Sequence, residues 1–268
     1  MTGSGNPLAS HQRISPFTTA NVARMYDYYL GGKDNYAVDR ERADEVISRV
    51  PLTREIARAN RAFLGRAVRF LAAEAGICQF LDIGAGLPTQ DNVHEVAQRA
   101  NPASRVVYVD NDPMVLVHAR ALLAQDAQTR VIAGDVRNPD DILTHPEMRG
   151  LLDLSQPVAV LLVAVLHFIP DDHGAFPAVR TLVDALPAGS YLVLSHVEHR
   201  PELEHGARQY RQANAPAVLR PVDEIARFFD GVELVPPGLI NVRRWRPDDH
   251  VHAWDRDVPF YGGVGVKR

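Results

Sequence analysis

Hydrophobic and polar positions divide the chain into three stretches. Residues 1–16 are polar and Gly/Ser-rich, without periodic pattern, and are expected to form a mobile arm. Residues 17–75 show no strand alternation. The part from 18 to 52 is polar, aromatic and helical in character, and 55–75 reads as one longer amphipathic helix. Its Ile56, Ala59, Phe63, Ala67, Phe70 and Leu71 keep helical spacing, while Arg58, Arg66 and Arg69 fall elsewhere. From 76 to 268 short β-rich runs alternate with helical ones. Strands are predicted at 79–83, 105–110, 129–133, 158–162 and 190–195, with helices near 91–100, 113–125, 139–150 and 172–185. Strands 158–162 and 190–195 are apolar nearly throughout, as strands covered on both faces are. Such alternation gives an α/β fold with a doubly wound parallel sheet, because each crossover is right-handed and helix-filled. In the tail, a helix at 222–229 precedes two runs, 231–236 and 261–266, that read as a hairpin-like pair. The expected sheet is therefore mostly parallel and seven-stranded, with an antiparallel C-terminal edge.

Composition narrows the class without changing this outline. The 268 residues carry a net charge of -4, with 46% hydrophobic and 23% charged positions, which excludes global disorder and collagen-like or coiled-coil chains. The single cysteine, Cys78, excludes an internal disulfide framework and a Cys-based zinc cluster, and suits the reducing cytoplasm. The longest apolar run, 158–166, is far short of the roughly 20 residues of a membrane helix, and the polar N-terminal stretch has no signal-peptide pattern. The acidic balance argues against binding a nucleic-acid backbone.

The sharpest chemical signal is Phe80-Leu81-Asp82-Ile83-Gly84-Ala85-Gly86-Leu87-Pro88, an apolar strand running into a Gly-x-Gly turn. Glycines there let a ligand approach the backbone and admit positive φ. The second strand ends in Asp110, followed by Asn111, Asp112 and Pro113. Asp110 is placed to accept both hydroxyls of a ribose, and Asp112-Pro113 opens a helix. The third strand ends in Gly134-Asp135-Val136, where Asp135 suits an adenine amino group and the Val136 N–H a ring nitrogen. The fourth ends in Ala164-Val165-Leu166-His167, beneath the ligand. Ligands of open α/β sheets bind at such strand ends. A nicotinamide site asks for a third glycine and an acid about 20 residues on. Here Thr89 holds the third position and Asp110 lies 26 residues beyond Gly84 (110 − 84). Asp82 would repel a pyrophosphate but suit the ammonium of S-adenosylmethionine.

With Asp82, Gly84 and Gly86 the chain resembles class I S-adenosylmethionine-dependent methyltransferases over about 79–196, Pro88 replacing the last glycine of their motif. More narrowly it resembles a bacterial methyltransferase family long catalogued as a domain of unknown function. That resemblance rests on 82–89 and on Asn21-Val22-Ala23-Arg24-Met25-Tyr26-Asp27-Tyr28-Tyr29-Leu30-Gly31-Gly32-Lys33-Asp34-Asn35-Tyr36, and with them covers nearly the whole chain. It implies a Rossmann-like methyltransferase domain over 76–268, capped by an N-terminal helical lid and helix over 17–75. It does not supply the acceptor.

The resemblance makes S-adenosylmethionine the expected cofactor, contacted by Asp82, Gly84, Ala85, Gly86, Asp110 and Asn111, then by Asp135, Val136 and Ala164, with Arg61 on the methionine carboxylate. In the lid, Tyr28, Asn35 and Tyr36 are expected to line the acceptor side, since aromatic rings exclude water and attract a sulfonium. His167 is the candidate catalytic residue, a general base on an acceptor hydroxyl or amine. No metal is expected: His196, Glu198, His199 and His205 lack zinc spacing. Arg243, Arg244 and Arg246 around Trp245 read as a surface loop. No Asn/Asp-Pro-Pro-Tyr/Phe-like motif of base-directed DNA methyltransferases follows the fourth strand, which favours a small-molecule acceptor. The expected activity is methyl transfer to its oxygen or nitrogen. A non-catalytic module binding S-adenosylmethionine or its product, and an NAD-dependent oxidoreductase, are the alternatives; the sequence leaves a homo-oligomer open.

Overall fold

The computed structural model describes residues 18–88, 91–123, 127–248 and 256–268. The expected arm at 1–16 and Thr89 lie outside them. Three helices come first: α1 (Val22–Leu30), α2 (Ala37–Arg49) and α3 (Thr53–Ala73). The Asn21 side chain caps α1 by accepting from the Ala23 and Arg24 N–H groups, and Gly31, at φ 86°, ends it in the left-handed conformation. Then follow β1 (Gln79–Ile83), α4 (Val93–Ala100), β2 (Arg105–Asp110), α5 (Pro113–Leu123) and β3 (Thr129–Ala133). The single helix expected over 139–150 is two, α6 (Pro139–Leu143) and α7 (Pro146–Leu151). Pro146 bars its predecessor from helical angles, and His145 sits at ψ 127°. The chain continues through β4 (Ala159–Val163), α8 (Ala175–Asp184), β5 (Tyr191–Val197), α9 (Glu204–Gln209) and α10 (Val222–Ala226), and closes with β6 (Glu233–Leu234), β7 (Ile240–Asn241) and β8 (Phe260–Val266).

The strands form one sheet in the order β3-β2-β1-β4-β5-β8-β6. β3 to β5 are mutually parallel, and β8 runs antiparallel to β5 along its whole length. The tail pairs as expected, Glu233 and Leu234 against Val266 and Gly265. The sheet has eight strands rather than seven, because the two-residue β7 pairs with Gly262 and Tyr261 of β8 beside β6. Both sheet faces are covered. Leu81, Val107, Val160 and Leu192 bury one face with α8, and Phe80, Val106, Ala159 and Val193 bury the other with Phe63, Ala67 and Leu71 of α3. α1 and α2 add a smaller cluster, in which Met25 and Tyr29 pack on Ala43, Val46 and Ala57. Trp245 is wholly buried against Phe63 and Phe70, so the expected surface loop is anchored by its tryptophan. The arginines around it are each paired, Arg243 with Glu55, Arg244 with Asp257 and Arg246 with Glu74.

Candidate active site

The chain reverses after β1 in a turn hung on β2. The Gly84 and Ala85 N–H groups donate to Val109 O at 2.8 and 3.2 Å. Gly84 has φ +74°, and a Cβ there would lie 2.4 Å from a Val165 methyl, so conformation and space both demand glycine. Gly86, at φ +67°, donates its N–H to Asp110 Oδ2 at 2.9 Å, and a Cβ on it would meet no protein atom within 4 Å. Asp110 also accepts the Asp112 N–H on Oδ1 at 2.9 Å. Burial raises its pKa against these bonds. Each of its oxygens keeps a lone pair for a further donor.

These groups line a cavity of about 340 Å³ at the carboxyl ends of β1 to β4. Asp82, Gly84, Ala85, Gly86, Asp110 and Asn111 all line it, and so do Asp135, Val136, Ala164 and Arg61. Burial pushes the Asp82 carboxyl up to about 7, with the Arg61 charge opposing and that of Asp110 adding. Ala164 stands at φ 60°, a strained angle for a non-glycine residue, as the chain leaves β4. Asp135 is largely spent. It accepts from the Arg137 guanidinium, from the Arg137 N–H at 2.9 Å and from Asn111 Nδ2 at 3.1 Å. Although burial acts against it, these bonds hold its carboxyl down at about 2. Arg61 donates to Asp91 O at 3.0 Å.

The lid and catalytic expectations need correction. Tyr28, Asn35 and Tyr36 do not line the cavity; Val22, Ala23, Tyr26, Asp27 and Leu30 do. The reason is helical phase. Val22, Tyr26 and Leu30 share one stripe of α1, and Tyr28 points elsewhere. Its hydroxyl donates to Asp44 and Arg54 lies over its ring. Tyr36 packs under Arg24. Asn35 acts at one remove, donating Nδ2 to Asp27 Oδ2 at 2.8 Å.

His167 is displaced for a related reason. The kink at Ala164 and the 3-10 turn Leu166–Phe168 fold it back into the core, against Phe168, His196 and Phe260, and Phe168 takes the place at the cavity. Burial, with the charges of His196 and Arg220, holds its pKa well below the usual imidazole value. The wholly buried Arg220 pins this segment. It donates to Leu166 O at 3.1 Å, Ile169 O at 2.9 Å and His196 Nε2 at 2.7 Å, and pairs with Asp171. His196 must therefore accept on Nε2 and carry its proton on Nδ1, 2.7 Å from Val197 O.

The remaining wall was not singled out from sequence. It includes Asn60 of α3, Phe168, Pro170 and His173 after β4, and Asn214, Ala215 and Pro216. Only the α1 stripe left a signal, the i, i+4, i+8 spacing of Val22, Tyr26 and Leu30.

The donor set fits S-adenosylmethionine. Asp82 is apt for its ammonium, Asp110 for its ribose hydroxyls, and the open Gly86 for close backbone approach. It does not fit a pyrophosphate. Among the described residues the first helix after the glycine turn, α4, starts only at Val93, and the buried Asp82 carboxyl beside the turn would repel a phosphate.

The family model described as "S-adenosyl methyltransferase" matches residues 9–268. The chain belongs to that family. Its cofactor is S-adenosylmethionine and its reaction is methyl transfer. Among solved structures, the enzyme is 46% identical to a Thermobifida fusca YX protein given as a candidate methyltransferase, over 94% of this chain and 96% of that one, at TM-score 0.89. It is 44% identical to a DUF574 family protein of Streptomyces avermitilis MA-4680, over 93% and 98%, at TM-score 0.89. An O-methyltransferase family 2 protein from Planctomyces limnophilus, solved with apigenin, shares the fold at 15% identity and TM-score 0.50, over 87% and 66%. No curated protein matches the chain. No helix among the described residues is long and apolar enough to cross a membrane.

Proposed function

We propose that this methyltransferase transfers the methyl group of S-adenosylmethionine to oxygen or nitrogen of a small-molecule acceptor, in the cytoplasm, with residues 17–75 as lid. The observation that carries the reading is the charge of the strand-end cavity. Asp82, Asp110, Asp112 and Asp135 line it against Arg61 and Arg137, and Arg137 is tied to Asp135. Such a site favours a cationic ligand and disfavours a dinucleotide.

When bound, the cofactor supplies a methyl carbon already activated by its sulfonium. The chain has then to bind, align and exclude water. Asp82 takes the ammonium and Arg61 the methionine carboxylate. Asp110 takes the ribose, and Val136 offers its N–H to the adenine ring. Asn111 orients Asp135 beside the adenine amino group. α1 closes the cavity from above. Its N-cap Asn21 donates Nδ2 to Asp112, and the Val22 N–H donates to Asn214 Oδ1 at 2.8 Å, so two further segments hold it in place. Calorimetric titration with S-adenosylhomocysteine, beside NAD, tests the reading. Micromolar binding of S-adenosylhomocysteine alone is expected. Binding of NAD instead would overturn it.

A further inference from the structure

Beyond the strand ends the cavity changes character. Its wall there is Val22 and Tyr26 of α1, Phe168 and Pro170 after β4, and Ala215 and Pro216. The polar side chains set among them are largely committed to the protein itself. The Tyr26 hydroxyl donates to Ala57 O at 3.0 Å and accepts from Asn60 Nδ2 at 2.9 Å. Asn60 Oδ1 accepts from Ser195 Oγ at 2.6 Å. Asn214 spends its amide oxygen on the Val22 N–H. Asp27, toward the α1–α2 turn, accepts on Oδ2 from Asn35 Nδ2 and from the Asp34 N–H at 3.0 Å. His173 differs. It lines the cavity, is exposed, and its imidazole has no hydrogen-bond or ion-pair partner among the described residues.

We infer that this end takes a neutral, largely apolar acceptor carrying an aromatic hydroxyl, with His173 as its proton acceptor. The inference rests on the methyl-transfer reading above and names the acceptor class for the same site. A carboxylate or phosphate on the acceptor would lose its water here and meet no arginine or lysine on this wall, and an ammonium would meet only Asp27, one of whose carboxylate oxygens is already bonded twice. A planar ring instead meets the flat faces of Tyr26, Phe168 and the two prolines. A phenol, with a pKa of about 10, is also a hydroxyl that an imidazole can relieve of its proton as charge develops on the oxygen; an aliphatic alcohol is far less acidic. In the transfer the acceptor O–H bond breaks toward an imidazole nitrogen of His173 as the oxygen bonds the methyl carbon. The carbon–sulfur pair returns to sulfur. A methyl ether, a neutral thioether and an imidazolium result, and the exposed imidazolium passes its proton to solvent.

The test uses the full chain loaded with S-adenosylhomocysteine and three probes on one ring system: 2-naphthol, its 6-carboxylate and its 6-aminomethyl derivative. Saturation-transfer NMR reads binding without turnover. 2-Naphthol is expected to bind about tenfold or more tightly than either charged probe, and Val22→Asp to abolish the preference over the 6-aminomethyl probe while leaving that over the 6-carboxylate. Equal or tighter binding of a charged probe, or no binding of 2-naphthol, overturns the acceptor class. With S-adenosylmethionine, His173→Gln is expected to leave the 2-naphthol dissociation constant within about twofold and to cut S-adenosylhomocysteine formation about 100-fold. Unchanged formation in that variant, or bound 2-naphthol that the wild type never methylates, overturns the role of His173. Failure of the methyl-donor reading shows separately, as absence of S-adenosylhomocysteine binding before any probe is added.

Discussion

The two ends of the cavity are built on opposite principles. At the strand ends, backbone geometry is fixed by five parallel strands, and buried carboxylates keep hydrogen-bonding capacity for a ligand. Asp82 pays for this with a pKa near 7. At the other end the wall comes from α1, from the turn after β4 and from residues 214–216, and its side-chain polar groups are mostly turned inward to hold those pieces together. A site that must recognise one fixed, charged cofactor can be strained and electrostatically costly. A wall made of separate segments must first stabilise itself, and what it then offers is apolar shape. If the two ends are this independent, changes at one should spare the other.

The largest effect is expected at Arg220, whose guanidinium holds the turn after β4. Arg220→Met removes donors to two carbonyls and to His196 Nε2 in a wholly buried position. It should cost about 3 kcal/mol of stability, roughly 6 °C in the melting temperature of a chain this size. Asp171, its ionic partner, is mostly exposed and is left without cost. S-adenosylhomocysteine affinity measured at 15 °C should stay within about threefold. A parallel collapse of cofactor affinity would show that the ends are coupled.

The reverse experiment is Gly84→Val. At φ +74° with Val165 2.4 Å from the new Cβ, the turn must move. Cofactor affinity should fall about 100-fold, ~2.7 kcal/mol. An unchanged dissociation constant in calorimetry would remove the glycine turn from the site.

Asp82→Asn separates binding from stability. The folded-state pKa of Asp82 is raised to about 7, above the unfolded value near 4. The folded state therefore holds the proton longer, and the stability tied to it is full below pH 4 and lost as pH rises through 7. At pH 8 the asparagine variant of the free protein should be more stable than wild type, by about 4 kcal/mol at most, and the difference should vanish near pH 4. Its S-adenosylhomocysteine affinity should nonetheless drop about tenfold, with the charge that faces the ammonium gone. In wild type at pH 6.5 binding should release protons, visible as a buffer-dependent heat in calorimetry. Absence of both effects would place the ammonium elsewhere.

These contrasts also explain what the sequence revealed. Strands β1 to β5 were placed within a residue or two because two-sided burial writes continuous apolar runs, and the strand-end site followed because Asp82, Gly84 and Asp110 sit at fixed points on those strands. The helical end was harder. Tyr28 and Tyr26 look alike in a tyrosine-rich segment, and only helical phase tells which faces the cavity. His167 occupied the right place along the chain, but the left-handed kink at Ala164 turned it into the core. Nothing in the local sequence announced that kink. His173 and Asn214 join the site through tertiary packing, which leaves no periodic trace.

The smallest effect probes the seam between the two ends. Asn21 Oδ1 accepts from the Ala23 and Arg24 N–H groups, its N–H donates to Asp39 Oδ1 at 2.9 Å, and its Nδ2 reaches Asp112, two residues beyond Asp110. Asp112 meanwhile caps α5 through the Met114 N–H at 2.7 Å. Asn21→Ala removes the α1 cap and the tie to Asp112, but keeps the backbone bond to Asp39. The loss of the cap should cost about 1 kcal/mol. Because Asp110 and Gly84 are untouched, the contacts proposed for them with the cofactor remain. What changes is the hold of α1 over the cavity, so the off-rate of S-adenosylhomocysteine should rise a few-fold with little change in on-rate, as stopped-flow dissociation would read. Asn21→Asp keeps the cap but sets a second carboxylate against Asp112. If lid closure depends on that tie, Asn21→Asp should release the cofactor as fast as Asn21→Ala while retaining more helix stability; if the cap alone matters, it should behave as wild type.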